Sequence, residues 1–471
     1  MIHITADDNS PIHVVILAAG LGTRMKSKLA KVLHRVGGMS LAEHVVRAAS
    51  HVTPPSNITV VIGHQSDEVR TELAPLGTNF ILQEQQQGTG HALLTCQEAL
   101  HEAGGLLMVL YGDTPLLSPA TLQRLVERQR RHHAAATLIT THLDDPTGYG
   151  RVIVDDQGHV RSIVEQKAAT PHQLGIHTIN SGIYCFEARL LWKYIGEIRP
   201  DNQANEYYLT DIVSILNRHG HAVQSMEVKD STELLGINTR VDLSAVDKII
   251  RDRKARELML DGVTIEKPET VTIDAQVKVG PDSILEPFTR LVGATVIGED
   301  CRIGAGTVIE SSRIGDRVHV AALTHISHAV IHDDALVGPF SRLRQGADLG
   351  PGTHVGNFVE LKNTHLGAGA KANHLAYLGD AQIGERVNVG AGTITCNYDG
   401  VNKHRTTIEG GSFIGSNSTL VAPVTIGEGS YIGAGSVITE DVPAGSLALG
   451  RAHQVVKPGW VERKKQKQPG D

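Results

Sequence analysis

The sequence predicts two folds joined on one chain. The first, over residues 1–240, is an α/β, Rossmann-like domain with an open, mostly parallel sheet. The second, over residues 262–471, is a β domain, a parallel β-helix. A linking helix over 241–261 stands between them. Three observations carry this reading. Apolar strand-like runs alternate with helical stretches in the first half. An aliphatic residue recurs at every sixth position through most of the second, from Ile273 to Ile438. The stretch between them is helical in pattern but polar on most of its faces.

In the first domain, residues 13–19, His-Val-Val-Ile-Leu-Ala-Ala, read as a buried parallel strand. It runs into Gly20-Leu21-Gly22-Thr23-Arg24-Met25 and then Lys26, Lys28 and Lys31. Glycine lets the backbone approach a phosphate closely, and free N–H groups with Arg24 and Lys31 can neutralise it. A helical stretch around Leu41 to Ala49 precedes a second strand, Ile58 to Ile62. A third strand, Leu106 to Leu110, ends in Tyr111-Gly112-Asp113-Thr114-Pro115. An acidic residue at the carboxyl end of a parallel strand is placed to hold a metal beside phosphates. Gly20-Leu21-Gly22 alone says little, because it has neither dinucleotide-fingerprint nor Walker-loop spacing.

In the linking segment, Leu243, Val246, Ile249 and Ile250 form a short apolar stripe. Arg251-Asp252-Arg253-Lys254 and Arg256-Glu257 follow, and Gly262 is a plausible stop. Such a helix bridges domains more than it packs into a core. About twenty residues of it span ~30 Å, which predicts two well-separated sites.

In the second domain, one run of the repeat reads Ile273, Val279, Leu285, Leu291, Ile297, Ile303, Ile309; a second reads Val337, Leu343, Leu349, Val355, Leu361; a third reads Ile408, Ile414, Leu420, Ile426, Ile432, Ile438. A period of six fits neither an α-helix nor a two-sided strand, but it is the period of one short side of a solenoid coil. The spacing slips to five at Ile314, Ile331, Leu366 and Ile383, and Ala372 and Thr395 occupy register positions. From Thr395 to Ile408 there is one residue more than two hexads, which predicts a loop projecting from a corner near Asn397–Lys403. A loop on a rigid scaffold is a natural place for function.

Composition narrows the class. Aromatics make up only 4% of 471 residues while Gly reaches 49, as suits a narrow solenoid core of Ile, Val, Leu and Ala. A net charge of −7 argues against nucleic acid as the main partner. Four scattered cysteines, Cys96, Cys185, Cys301 and Cys396, form no CxxC and indicate neither a disulfide framework nor a zinc site; a reduced cytoplasm is the simplest setting. The apolar run Val14–Ala19 is too short for a signal or membrane segment. The basic tail Arg463-Lys464-Lys465-Gln466-Lys467 reads as a frayed, solvated terminus.

Several separated segments agree on a family. Leu17 to Met25 with Lys31-Val32-Leu33-His34, Gln83 with Gly88-Thr89-Gly90-His91-Ala92, and Tyr111-Gly112-Asp113 resemble the sugar-nucleotidyltransferase signature. With the solenoid on the same chain, residues 12 to 460 resemble the bacterial bifunctional N-acetylglucosamine-1-phosphate uridyltransferase/glucosamine-1-phosphate N-acetyltransferase family. The most specific stretches are His354–Lys362, His374–Asp380 and Gly390–Gly400. The resemblance implies a left-handed β-helix, a homotrimer, and the substrates UTP, N-acetylglucosamine-1-phosphate, glucosamine-1-phosphate and acetyl-CoA. By motif match, Leu17, Ala18, Ala19, Gly20, Gln83, Gly88, Thr89, Tyr111 and Gly112 line the uracil and ribose site. Arg24 and Lys31 bind phosphates. Gly150, Glu165 and Asn180 hold the sugar. Asp113 and Asn238 ligate Mg2+. In the second domain His374 is the implied general base, oriented by Glu360. Arg344, Lys362, Tyr377 and Asn388 bind the sugar phosphate and ring. Asn397 and the Tyr398 backbone meet the acetyl group. Ala391, Ser416, Ala434 and Arg451 line the CoA channel.

This chain departs from the family pattern at Ala30 and Gln345, where proline is usual; the first bears on the rigidity of the phosphate loop and the second on local geometry beside Arg344. Two other readings stand beside the two-activity enzyme. One is a single nucleotidyltransferase whose solenoid only regulates or oligomerises it; the other is a non-catalytic scaffold for nucleotide sugars. The pair Asp113 and Asn238, and the cluster His374, Asn397 and Tyr398, discriminate among them.

Overall fold

The strand Ile12–Leu17 is buried on both faces, and its residues divide by alternation: Val14 and Ile16 join one core cluster, Val15 and Leu17 the other. That is the period of two expected when helices cover both sides of a parallel sheet. The computed structural model describes residues 10–202 and 204–466. Its front sheet runs in the order Val223–Glu227, Ala136–His142, Thr178–Glu187, Leu106–Tyr111, Ile12–Leu17, Ile58–Ile62, Asn79–Leu82. Thr178–Glu187 is antiparallel to both neighbours, and the other pairings along that path are parallel. The hairpin Arg151–Val154/Val160–Val164 attaches to Thr178–Glu187 through Ile179 and Arg151.

Ile12–Leu17 lies between Ile58–Ile62 and Leu106–Tyr111, with Leu17 beside Tyr111. The strand order reverses there, and the carboxyl ends of the two central strands open a crevice. The Gly20 turn leaves from one of these ends and Gly112-Asp113 from the other. Ala30, at the entry to the 3-10 turn Lys31–Leu33, has φ −53° and is buried. That torsion lies in the range proline imposes, so alanine holds the loop in the shape proline would have given it.

The second domain is a left-handed parallel β-helix. Its coils stack into three faces of 11, 10 and 9 short strands, beginning at Thr264–Ile265, Thr272–Ile273 and Lys278–Val279. Leu291 sits on Ile273 and Ile297 on Val279, so each coil brings one aliphatic residue of each face over the last. Every aliphatic residue of the three runs is buried, in one continuous core. Burying each is worth about 1.5–3 kcal/mol, and the sum over coils offsets the entropy of ordering so much turn.

The five-residue slips share one place in the coil. Ile314, Ile331, Leu366 and Ile383 all close strands of the third face, each following a tightened corner from the second. At each of these corners one residue, Ser311, His328, Asn363 or Asp380, takes φ between 44° and 50°. The left-handed residue does not by itself shorten the corner, since Gly293, at φ 64°, stands at the same place in the six-residue step from Leu291 to Ile297. Thr395 pairs with Leu420 on the second face and Ile408 with Ile383 on the third, so Thr395 and Ile408 stand on consecutive faces. The expected count of two hexads plus one residue is therefore corrected: the whole stretch is a single corner, and Asn397–His404 is the loop that projects from it.

The linking helix spans Arg240–Leu260. The chain divides into compact units at Ile250/Arg251, inside this helix. Val246 and Ile250 are buried, while Ala255 and Leu258 belong to the solenoid core, so the helix's last turns pack into a core rather than only bridging. Arg251 pairs with Asp274 of the first coil at 2.8 Å. The basic tail is helical over Trp460–Lys465, which corrects the frayed reading for those residues; Lys467 lies outside the described residues. Among the described residues no helix is long and apolar enough to cross a membrane.

Candidate active sites

At the switch point of the front sheet, three predicted residues meet on one ammonium group. Lys31 Nζ pairs with the Asp113 carboxylate and donates to Asn238 Oδ1 at 3.0 Å. Arg24 Nη2 donates to the same Asn238 oxygen at 2.8 Å. The backbone assembles this cluster from far-apart segments. Ile237 N donates to Asp113 O at 3.0 Å, and Thr239 with Asp242 forms a capping box that receives the chain into the linking helix. Gly22, at φ 59°, makes the approach possible: a Cβ there would lie 2.6 Å from Lys31 Cβ, whereas Gly20 faces open space. Asp113 and Asn238 thus offer two hard oxygens around a point already held by a cation. Magnesium takes such donors from a protein and completes its shell with water and substrate phosphates, so this pair fits it. Among the described residues no cluster of three or more His, Cys, Asp or Glu side chains is arranged to hold a metal.

The residues predicted to line the nucleoside site lie along the same crevice. Ala18 N donates to Val61 O and Gly112 N to Leu17 O, which ties Leu17–Ala19 into the sheet. Gln83 is buried; its amide nitrogen donates to Gly88 O at 3.3 Å and meets His91 Nδ1 at 2.9 Å, leaving its oxygen for a ligand. Gly88 takes φ 109°, and a Cβ there would strike Tyr207 O at 2.6 Å. The segment around Tyr207 straps this loop: Gly90 N donates to Tyr207 O, and Leu209 N to Thr89 Oγ1 at 3.1 Å. Burial pushes the Tyr111 phenol well above its usual range, against a hydrogen bond with Thr89. Its ring fills the space left by Gly182, where a Cβ would come within 2.4 Å.

The sugar residues also gather. Asn180 N donates to Gly150 O at 2.9 Å, and a Cβ on Gly150 would sit 3.4 Å from Glu165 Oε1. Burial, and then the Asp211 carboxylate, raise the Glu165 carboxyl, while Thr210 hydrogen-bonds it and opposes the shift. Arg151 is fully buried; it donates to Tyr149 O and, at 2.8 Å, to Gln166 Oε1, clamping the turn that carries Gly150.

On the solenoid, two adjacent lines of residues carry the predicted acetyl site. The first runs up the corner between first and second faces. Ala372 stacks on Val355, Val389 on Ala372, Ile414 on Val389, Ile432 on Ile414 and Ala448 on Ile432. Two residues beyond each stand Asn357, His374, Ala391, Ser416, Ala434 and Gly450. The residues predicted to line the CoA channel thus rise above His374 one coil at a time, with Arg451 just past the top. At ~4.8 Å per coil, His374 to Ala434 is roughly 14 Å. Asn388 lies on the outer first face, one coil above Lys371. The second line is the outer second face. Glu360 lies beside Tyr377 and Lys362 beside Gly379. A Cβ on Gly379 would meet Tyr377 OH at 2.5 Å and Asn397 Nδ2 at 2.9 Å, so these two polar tips share the space over that glycine. Asp380 anchors the Asn397 amide and accepts from Asn363 Nδ2 at 2.6 Å. Burial alone would raise the Asp380 carboxyl, but Asn363, Asn397, Lys362 and Lys403 outweigh it and hold it low.

One expectation is corrected. Glu360 does not orient His374: its carboxylate is taken by Arg344 Nη1 at 2.9 Å. The imidazole Nδ1 lies 2.9 Å from Asn357 Oδ1, one coil below. A carbonyl oxygen only accepts, so Nδ1 is the donor of this contact, and in a neutral ring Nε2 would be the acceptor. Sequence reasoning passed over Asn357, Asp380, Arg151, Thr210 and Asp242. Only the last had a local signal, the Thr239-x-x-Asp242 spacing; the others act through register between coils or strands.

A nucleotide-binding crevice and a hexapeptide solenoid on one chain define a nucleotidyltransferase joined to an acyltransferase. Residues 14–191 match the MobA-like NTP transferase domain, and residues 276–311 and 405–440 match the bacterial transferase hexapeptide (six repeats). The chain is 54% identical over 455 residues to the bifunctional protein GlmU of Solibacter usitatus, covering 97% of this chain and 98% of that one. Against the GlmU proteins of Koribacter versatilis and Shouchella clausii the identities are 50% and 45%, over 98% and 95% of this chain and 98% of each relative. The chain belongs to the bifunctional GlmU family, and it is both a nucleotidyltransferase and an acetyltransferase of UDP-N-acetylglucosamine synthesis.

Proposed function

We propose that the enzyme acetylates glucosamine-1-phosphate with acetyl-CoA on the solenoid, then transfers UMP from UTP to N-acetylglucosamine-1-phosphate in the crevice, releasing pyrophosphate. One observation carries the assignment: both clusters occur on one chain, Lys31–Asp113–Asn238 at the switch point and the His374–Ala391–Ser416–Ala434 column at a solenoid corner. A purely regulatory solenoid has no need of the second, and a scaffold has no need of the first. The domains are taken as 1–240 and 262–471, with the helix between.

In uridylyl transfer, a phosphate oxygen of the sugar attacks the α-phosphorus of UTP; that P–O bond forms as the bond to the β-phosphate breaks, and pyrophosphate leaves. The protein's task is positioning and charge neutralisation. Leu17–Gly20, Gln83, Gly88, Thr89, Tyr111 and Gly112 hold the nucleoside. Gly150, Glu165 and Asn180 hold the sugar, and Arg24 and Lys31 neutralise phosphate. Asp113 and Asn238 would hold magnesium, whose positive charge would help neutralise the phosphates.

In acetyl transfer, the amine nitrogen adds to the thioester carbonyl while His374 Nε2 removes its proton. The C–S bond then breaks, and CoA leaves as a thiol after taking up a proton. Arg344, Lys362, Tyr377 and Asn388 hold the sugar phosphate and ring. Ala391, Ser416, Ala434 and Arg451 flank the pantetheine arm, whose length suits a small-residue column rising roughly 14 Å from the base. Asn397 and the Tyr398 N–H face the carbonyl oxygen.

The assembly is a homotrimer in the cytoplasm. An exposed apolar ridge supports the trimer: Leu323, Phe340, Phe358 and Leu375, each 48–62% exposed, follow one another up the corner beside His374, and Phe288 stands two coils below Leu323 with Gly306 between. The rings of Phe340 and Phe358 stack at 5.4 Å. A four-coil apolar ridge of this kind is one that partner copies cover. Two assays on the purified chain test the reading: CoA-thiol release with glucosamine-1-phosphate, and pyrophosphate release with UTP and N-acetylglucosamine-1-phosphate. Both are expected. Absence of thiol release leaves a single-activity nucleotidyltransferase, and absence of both leaves a scaffold.

A further inference from the structure

The mechanism above gives no task to Asp399 and His404 in the projecting loop, yet they hold it together. Asp399 Oδ1 accepts from Val401 N at 2.8 Å and Asn402 N at 2.6 Å, and Oδ2 meets His404 Nε2 at 2.7 Å. The backbone follows: Asp399 N donates to Asn402 O at 3.1 Å, and His404 N to Asn397 O at 2.8 Å. These two bonds flank an antiparallel bridge between Tyr398 and Lys403. In a pair so flanked, the two residues turn their own N–H and C=O groups away from each other. The Tyr398 N–H therefore points off the hairpin instead of into it. At the hairpin's base, the Asn397 amide is fixed by Asp380.

We infer that Asp399 and His404 are positioning residues for acetyl transfer: they clamp the hairpin in the register that aims the Tyr398 N–H and the Asn397 amide at the thioester oxygen as it gains charge. This rests on the acetyl-transfer reading above. Without the clamp the exposed loop, with Tyr398 at 60% and Val401 at 83% exposure, samples many conformations, and an aimed donor becomes an occasional one. The N–H of Asn402, then His404 and the N–H of Val401, hold the Asp399 carboxyl at about 2, so the acceptor stays ionised at any working pH.

The test compares His404→Ala, His404→Gln and Asp399→Ala with the unmodified full-length chain, each assayed for both activities and for assembly mass. His404→Ala is expected to lower the acetyl-transfer kcat about tenfold, less than the 10²–10³ of deleting an oxyanion donor outright. KM for glucosamine-1-phosphate, uridylyl transfer and mass should hold. His404→Gln, whose amide N–H can reach the same Oδ2, should recover most of the rate, and Asp399→Ala should lose at least as much as His404→Ala. A loss in KM alone, a kcat within twofold of the unmodified chain, or no recovery with glutamine overturns the inference. If His404→Ala fails to assemble, Asp399→Ala decides by the same criteria, and failure of both to assemble also overturns it, since the clamp would then be structural. An unmodified chain that releases no CoA thiol defeats the acetyl-transfer reading itself, a result distinguishable from all of these.

Discussion

Replacing Asn357 by alanine removes the side chain that holds His374 Nδ1 and leaves the imidazole freer to rotate and to exchange tautomers. The lost contact is a neutral hydrogen bond at 2.9 Å on an exposed ring, where water can partly replace it. Such a bond is worth about 0.5–1.5 kcal/mol, which is a rate factor of roughly 2 to 10. The acetyl-transfer kcat of Asn357→Ala should therefore fall about 2- to 10-fold, against about 10²-fold or more for His374→Ala. Because Asn357 acts through the histidine, the two changes should not add: in a His374→Ala background, Asn357→Ala should cost almost nothing more. Glu360→Gln should behave differently. It frees Arg344, and its effect should appear in KM for glucosamine-1-phosphate while kcat holds. Initial rates of CoA-thiol release across both substrates read all four variants. Full additivity of Asn357→Ala and His374→Ala, or a collapse of kcat in Glu360→Gln with Asn357→Ala near normal, would refute this geometry and return Glu360 to the orienting role.

Other consequences concern the first site and the assembly. Asp113→Asn keeps the shape but removes the charge facing Lys31; pyrophosphate release should be abolished and acetylation left intact, and loss of both would indicate misfolding instead. The Glu165 carboxyl is raised in the folded state, chiefly by burial and next by Asp211, so the folded protein binds that proton more tightly than the unfolded chain. Stability then falls as pH rises through the window from the ordinary carboxyl value up to the raised one. Glu165→Gln should accordingly raise the thermal midpoint at pH 7.5 and change it little at pH 4; an unchanged midpoint at pH 7.5 would count against the buried, repelled carboxylate. Phe358→Glu places a charge in the exposed ridge and should give a mass near 50.5 kDa by sedimentation equilibrium, while the unmodified chain sediments at three times that mass. A monomeric unmodified chain would contradict the trimer.

Where the sequence was readable, a periodic constraint lay behind it. The hexads had to be aliphatic because each occupies the axis of a coil too narrow for aromatics, and all of them are buried. The Gly20 turn and Asp113 were readable because they end strands whose burial is written in unbroken apolar runs. What escaped was register across the solenoid. His374 and Asn357 are seventeen residues apart and adjacent only because the coil between them is one residue short. Glu360, nearer in sequence, belongs to another face and to Arg344. The shortened corners all fall between the second and third faces, a regularity that linear spacing does not display. The linking helix looked polar because its apolar contacts, Val246 and Ile250 at one end, Ala255 and Leu258 at the other, do not share one continuous stripe.

The most direct test of the two-activity account follows one atom set through both sites. The purified chain is supplied with glucosamine-1-phosphate, UTP, magnesium and acetyl-CoA carrying a heavy-isotope acetyl group, and the nucleotide sugars are read by mass spectrometry. The account predicts UDP-N-acetylglucosamine bearing the heavy acetyl group, with pyrophosphate and CoA thiol released in equal amounts to it. Labelled N-acetylglucosamine-1-phosphate that never becomes nucleotide-linked, or a UDP-sugar without the label, would contradict it.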